Sequence, residues 1–233
     1  MRSSFKFTRL LHVYFLCFSS LVMAQTADQI ADFTKAAKFD DVSEAQSLIK
    51  AGVNPNTLDP KGSPMLILAI RDKSLKVTDL LLANPLTNVN MTNKSGENAL
   101  MLAAFDGQLA LVKTLVVEKK AAVNKTGWAP IHYAATNGHL EIAQFLMANG
   151  AQVNALSPSE TTPLMMSVMS GNDQLIKYLL DNGADLRMRN HEGYTAIDVA
   201  QLFGKDNIRD GLMSRWLKLY KEPYPGGPKK FSS

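Results

Sequence analysis

Side chains able to do chemistry are few in this chain of 233 residues and do not converge. There are four histidines, at positions 12, 132, 139 and 191, and a single cysteine, Cys17. Nucleophilic catalysis needs a base and an orienting group within hydrogen-bond reach of the nucleophile, and a metal centre needs several Cys, His or carboxylate ligands at defined spacing. Neither pattern is present, because the remaining candidates, Glu97, Asp106 and His191, fall in separate stretches of the chain. Glycines recur singly and regularly, as punctuation between short apolar runs, and not as the clustered loop that cradles a phosphate. The expectation is a non-catalytic protein without metal or cofactor, whose chemistry is that of a surface. The residues suited to that role are large rings at positions a fold has no need to fill, above all Phe105, Trp128 and Tyr194.

The elements that position those rings can be read from residues 127–154, GWAPIHYAATNGHLEIAQFLMANGAQVN. Pro130 opens a short apolar run in which Ala134 and Ala135 form a small face, and Gly138 breaks it. A second run, Leu140 to Leu146, is stopped by Asn149 and Gly150. The order is helix, turn, helix, loop. The same register returns at Ala36, Ala69, Ala103, Ala134, Ser167 and Ala200, separated by 33, 34, 31, 33 and 33 residues. Between units, Asn56 to Gly62, Asn90 to Gly96, Asn154 to Glu160 and Arg187 to Gly193 are each six residues apart, whereas Asn124 to Gly127 is only three. Units two and three each carry one extra residue at the end of the outer helix, at Ala83-Asn84-Pro85-Leu86 and Glu118-Lys119-Lys120. An irregularity is therefore expected between units three and four.

These residues resemble the ankyrin repeat, whose signature G-x-T-P-L-H-x-A-A-x-x-G-H-x-x-x-V-x-x-L-L-x-x-G-A-x-x-N is matched at nearly every fixed position of 127–154. The resemblance extends over about residues 28–217. It implies an all-α solenoid of six helix-turn-helix units with short hairpin-like fingers, bounded near 25–61, 62–95, 96–126, 127–159, 160–192 and 193–218. The outer two units serve as caps, because a single repeat cannot bury its own apolar faces. In the family a histidine like His132 ties adjacent turns together; here Ala129 replaces its partner threonine, so backbone groups must take over part of that network. Thr195 and Asp198 have the spacing of a reciprocal helix cap.

The resemblance also implies where binding occurs, on the concave strip made by finger tips and the exposed side of the inner helices. By position, that strip carries Arg71 and Asp72 of unit two, Lys94, Glu97, Phe105 and Asp106 of unit three, Trp128, Thr136 and Asn137 of unit four, Met169 of unit five and Tyr194 of unit six, with Thr57, Asp59, Ser63 and Thr161 beside them. Trp128 has a competing structural role, folding over the gap of the shortened finger onto Phe105. Met165 and Met166 take core positions.

Residues 1–24 have a different composition. Arg2, Lys6 and Arg9 precede an uncharged apolar run from Leu10 that closes on Val22-Met23-Ala24, the layout of a secretory signal peptide cleaved after Ala24 and too short for a stable membrane anchor. The formal charge of +4 rests partly on those three basic residues; without them 22 basic residues face 21 acidic ones. That near-neutral balance argues against nucleic acid. Cys17 lies in the same segment, so the mature chain has no thiol, which suits the oxidising periplasm or the cell exterior. Residues 219–233, rich in proline, glycine and lysine, read as a flexible or draped tail. The expected protein is a monomer that binds a protein partner of unknown identity, and the alternative within that class is an inhibitor, immunity or stabilising accessory protein for one exported enzyme.

Overall fold

The computed structural model describes residues 25–227; the expected signal segment 1–24 and the end of the tail lie outside the described residues. Within them the chain forms twelve helices: α1 (Ala27–Phe39), α2 (Val42–Lys50), α3 (Met65–Arg71), α4 (Leu75–Ala83), α5 (Ala99–Phe105), α6 (Leu109–Lys113), α7 (Pro130–Thr136), α8 (Leu140–Ala148), α9 (Pro163–Ser170), α10 (Asp173–Asp181), α11 (Ala196–Leu202) and α12 (Asp206–Tyr220). They pair into six units, and no strand appears among the described residues beyond one isolated bridge between Leu58 and Pro64. The odd-numbered inner helices pack on one another in sequence, and each also packs on the outer helix of its own unit. Their contact rows are small: Ala36, Ala69, Ala103, Ala134, Ser167 and Ala200 are at most 2% exposed. Outside that row the core is filled by Met65, Leu68, Leu81, Leu100, Leu115, Ile131, Ile142, Leu146, Leu175 and Leu179, all at most 2% exposed. Burying each such side chain contributes about 1.5–3 kcal/mol.

The helix boundaries follow from local chemistry. The turn between inner and outer helix needs a left-handed residue, supplied by Gly107, Gly138, Gly171 and Gly204 but by Asp40 and Lys73 in the first two units. Asp40 compensates, since its Oδ1 accepts a hydrogen bond from the Val77 amide of the next unit at 2.9 Å. Four fingers are built alike. The amides of Ser63, Glu97, Thr161 and Tyr194 donate to the side chains of Asp59, Asn93, Ser157 and Asn190, four residues earlier, at 2.7–3.0 Å. One departure from expectation lies here: Thr57, Asp59, Ser63 and Thr161 sit in the finger bases and are at most 9% exposed, leaving none of them on the strip.

Neighbouring units are tied by asparagines. Asn56 donates to Leu86 O and accepts from the Asn88 amide, both at 2.7 Å. Asn124 does the same to Gly150 O at 2.7 Å and the Gln152 amide at 3.0 Å. Asn154 repeats it with Gly183 O and the Asp185 amide, both at 3.0 Å. His132, fully buried, adds a further tie. Its Nδ1 accepts from the Ala129 amide at 3.1 Å, the backbone substitute for the absent threonine, while Nε2 faces the carbonyls of Ala155 and Thr161 at 3.0 and 3.1 Å. These contacts assign the neutral ring with its proton on Nε2, and burial holds its pKa below the ordinary histidine value, against the opposing pull of the backbone bonds.

The expected irregularity lies in the outer helix of unit three. After α6 the chain continues through a π-helical turn, Thr114–Glu118. Together they span ten residues, where α4, α8 and α10 have nine each, so the extra residue is absorbed as a π-bulge. At the C-terminal end, α12 runs two residues into the expected tail, and the following segment is draped on the last unit up to Gly227. Trp216 is flanked by the rings of Tyr220 and Tyr224 at 4.5 and 5.0 Å. The Tyr224 hydroxyl bonds to both Asp198 and Thr195, which also form the expected reciprocal cap. Burial and Asp198 together push the Tyr224 phenol up to about 12.

Two outcomes follow from the ties between units. Asn154→Ala removes one donor and one acceptor from opposed backbone groups, and urea denaturation should show a loss of about 1–2 kcal/mol. Since folded His132 resists the proton that the unfolded chain accepts, stability present above pH 6.5 should decline as the pH is lowered through and below that value. Denaturation at pH 7.5 and 5.5 should show this decline in the wild type and a flatter dependence in His132→Gln; equal slopes in the two proteins would remove His132 from the account.

Candidate functional site

On the face formed by the inner helices and finger bases, units three to five enclose a groove of about 270 Å³ lined by Phe105, Trp128, Tyr133, Thr136, Met166 and Met169. Phe105, Thr136 and Met169 occupy equivalent positions at the ends of α5, α7 and α9. Tyr133 and Met166 share another position, one residue before the small contact row. Trp128 lies just before the start of α7, at the base of the shortened finger. Consecutive units therefore contribute to one wall in register.

Tyr133 is the hub of the groove. Phe105 meets it edge-on with ring centres 6.2 Å apart, and Trp128 does so from the other side at 6.3 Å. Trp128 also lies edge-on to buried His132 at 5.5 Å. The two rings whose mutual packing was the structural alternative thus each meet Tyr133 instead. Phe105 is 39% exposed and Met169 36%, so the groove is apolar surface left in contact with solvent. One end is polar: the Tyr133 hydroxyl donates to Glu97 Oε1 at 3.1 Å, and Asn93 Nδ2 donates to Glu97 Oε2 at 2.8 Å. Burial, then the charge and hydrogen bond of Glu97, push the Tyr133 phenol well above the ordinary tyrosine value, so it stays a donor.

Of the residues expected on the binding strip, Phe105, Trp128, Thr136 and Met169 line this groove and Glu97 borders it. The others do not gather there. Arg71 and Asp72 are exposed in unit two, with a 3.9 Å contact between their charged groups. Lys94 lies over Gly62, with its Cε 2.7 Å from where a Cβ would stand. Asn137 donates to Phe105 O at 2.8 Å and so ties two turns together, while Asp106 is exposed beside it. Tyr194 packs against the core of unit six. Thr136 is partly engaged, donating to His132 O at 2.8 Å.

Tyr133 and Met166 were not anticipated, and Met166 is a correction, since it is half-buried at the groove whereas Met165 is 1% exposed in the core. The position they share holds Leu102 and Val199 in other units, which reads as core. The available signal was size, because a tyrosine there must bring its hydroxyl to a polar surface. Among the described residues no three His, Cys, Asp or Glu side chains are grouped to hold a metal ion, and no helix is long and apolar enough to cross a membrane.

A family model for ankyrin repeats, three copies long, matches residues 33–126, 78–157 and 131–216. The ankyrin repeat and SAM domain-containing protein 6 of Rattus norvegicus is 35% identical over 105 residues, which are 43% of this chain and 12% of that protein. The nuclear factor NF-kappa-B p105 subunit of Gallus gallus is 30% identical over 146 residues, 60% of this chain and 14% of that protein. Alpha-latrocrustotoxin-Lt1a of Latrodectus tredecimguttatus is 38% identical over 72 residues, 30% of this chain and 5% of the toxin. The chain thus spans a small fraction of these long relatives, and what it shares with them is the repeat array. Since the family matches together run from residue 33 to 216, well over half of the chain, it belongs to the ankyrin repeat family, whose repeats generally mediate protein–protein interaction.

Proposed function

We propose that this protein is an exported, non-catalytic and monomeric binding module of the periplasm or cell exterior, which holds one protein partner in the groove of units three to five. The observation that carries the binding reading is the groove itself, three aromatic rings and two methionines from consecutive units presented together and partly exposed. Burying that surface favours association, aromatic residues are enriched among those that dominate binding energy, and methionines adapt to a partner's shape. A stack already held by hydrogen bonds between units loses little conformational freedom on binding. Export is supported by the basic, then apolar, then small-residue order of residues 1–24 and by the confinement of the sole cysteine to that segment.

The two parts of the proposal are tested separately. Expressed in full in a bacterium with a periplasm, the protein should be recovered from that compartment with an intact mass corresponding to a chain beginning at Gln25; a cytoplasmic product retaining residues 1–24 would overturn export. For binding, the mature wild type should capture a partner from the same envelope fraction. Phe105→Ala/Met169→Ala should weaken that capture by about 30-fold, the equivalent of a 2 kcal/mol loss, without a change in melting temperature. Phe39→Ala, a 74% exposed ring outside the groove, serves as the control. Undiminished capture by the stable double variant would move the site elsewhere.

A further inference from the structure

The groove has an unanswered charge. Glu97 is half-buried, accepts hydrogen bonds only from the uncharged Tyr133 hydroxyl and Asn93 amide, and forms no ion pair with any Lys, Arg or His among the described residues. Neither nearby lysine pairs with it: the Lys94 stem lies over Gly62, and Lys125 places its Nζ 3.6 Å from where a Cβ of the adjacent Gly96 would stand. A carboxylate partly withdrawn from water without a cation is held at a cost that an incoming cation would offset. Tyr133 stands beside it and meets the rings of Phe105 and Trp128 in turn, and aromatic faces attract a cation, the indole most strongly. At about 270 Å³ the groove is smaller than the usual small-molecule pocket of roughly 300–1,000 Å³, and fits one or two protein side chains.

We infer that the groove takes a basic side chain of the partner protein, lysine or arginine, with its charged end at Glu97 and an apolar neighbour against Met166 and Met169. This rests on the reading of the groove as the binding site. Glu97 supplies selectivity by charge, the rings hold the stem and cation, and the two thioethers accept apolar side chains of varied shape.

The test uses the mature protein with 13C-methyl methionine and four peptides, acetyl-Gly-Leu-X-Leu-Gly-amide, where X is arginine, lysine, citrulline or norleucine. The arginine and lysine peptides should shift the Met166 and Met169 methyl resonances saturably, with Kd at least about tenfold below the neutral peptides, the difference expected of one desolvated charged contact. Glu97→Gln removes the charge while keeping the side chain's shape and one of its two acceptor oxygens, and should erase that preference, whereas Asp106→Asn, at an exposed carboxylate nearby, should retain it. Neutral peptides that shift the same methyls with equal Kd would overturn the charge selectivity and leave the groove as the site. A preference surviving Glu97→Gln would remove Glu97 from the role. If no peptide shifts either methyl, the inference falls, and the capture experiment decides separately whether the groove is the binding site.

Discussion

The structure depends on how closely consecutive inner helices approach, and that distance is set by one row of small residues. Ala36, Ala69, Ala103, Ala134, Ser167 and Ala200 are at most 2% exposed because each lies where one inner helix crosses the next. Interiors at native density do not absorb added methylenes without displacing the backbone, so a larger side chain in this row would separate two units. Ser167 is accommodated because its hydroxyl donates to Leu164 O at 2.7 Å within its own helix. The asparagine ties act only over this short separation. The side chain of Asn154, for example, reaches a carbonyl and an amide of the next unit simultaneously because the stack presents both at 3.0 Å. Packing sets the spacing, and hydrogen bonding sets the register.

A structure whose units each rely on a neighbour must end differently from how it continues. At the N-terminal end, Thr26 and Gln29 satisfy each other's backbone groups, and α1 buries Phe33, Ala36 and Ala37 while its other face is polar. At the C-terminal end of the six units formed by the described residues, Arg187 stands where the next asparagine would. It pairs with Asp185 at 3.0 Å and lies 5.3 Å from the centre of the Tyr220 ring. Trp216, Tyr220 and Tyr224 then cover apolar surface that a further repeat would have buried. Asp198, required locally as a helix cap, is reused as the acceptor that fastens Tyr224.

The parts of this molecule visible in its sequence are those with periodicity. The alanine row, the turn glycines and the Pro130 and Pro163 helix starts follow from repetition, and together they carry the whole fold. The shortened finger and the extra residue in unit three were visible as breaks in that repetition. Their structural outcome was not, because one inserted residue can enter a loop, as it does after α4, or a helix, as it does in the π-turn of unit three. The draped segment was hidden for another reason. Docking of Tyr224 depends on a contact with Asp198, 26 residues away, which no local pattern encodes. At the groove, Phe105 and Trp128 were legible as large rings at positions a fold has no need to fill and Met169 by its place on the strip, while Tyr133 and Met166 sit at a position that other units fill with ordinary core residues. Their participation depends on how far the neighbouring side chains leave the surface open.

That opening lies at the irregularity of units three and four. Elsewhere, the finger closes over its own base through a side-chain acceptor four residues before the amide it receives. The counterparts of Trp128 behind that closure differ in exposure: Thr161 of unit five is buried at 9%, while Glu97 of unit three and Tyr194 of unit six are half-buried. The finger of unit four is three residues shorter and has no such closure, and there the indole of Trp128 occupies the base, half-buried. The π-turn of the preceding outer helix accommodates the extra residue on the opposite side of the stack, and α5 and α7 keep their close packing. Because the alanine row is undisturbed, Phe105, Tyr133 and Met166 still project in register around the indole. Departures from the repeat thus fall where the stack can tolerate them, and the opening they leave coincides with the apolar groove and its unpaired carboxylate.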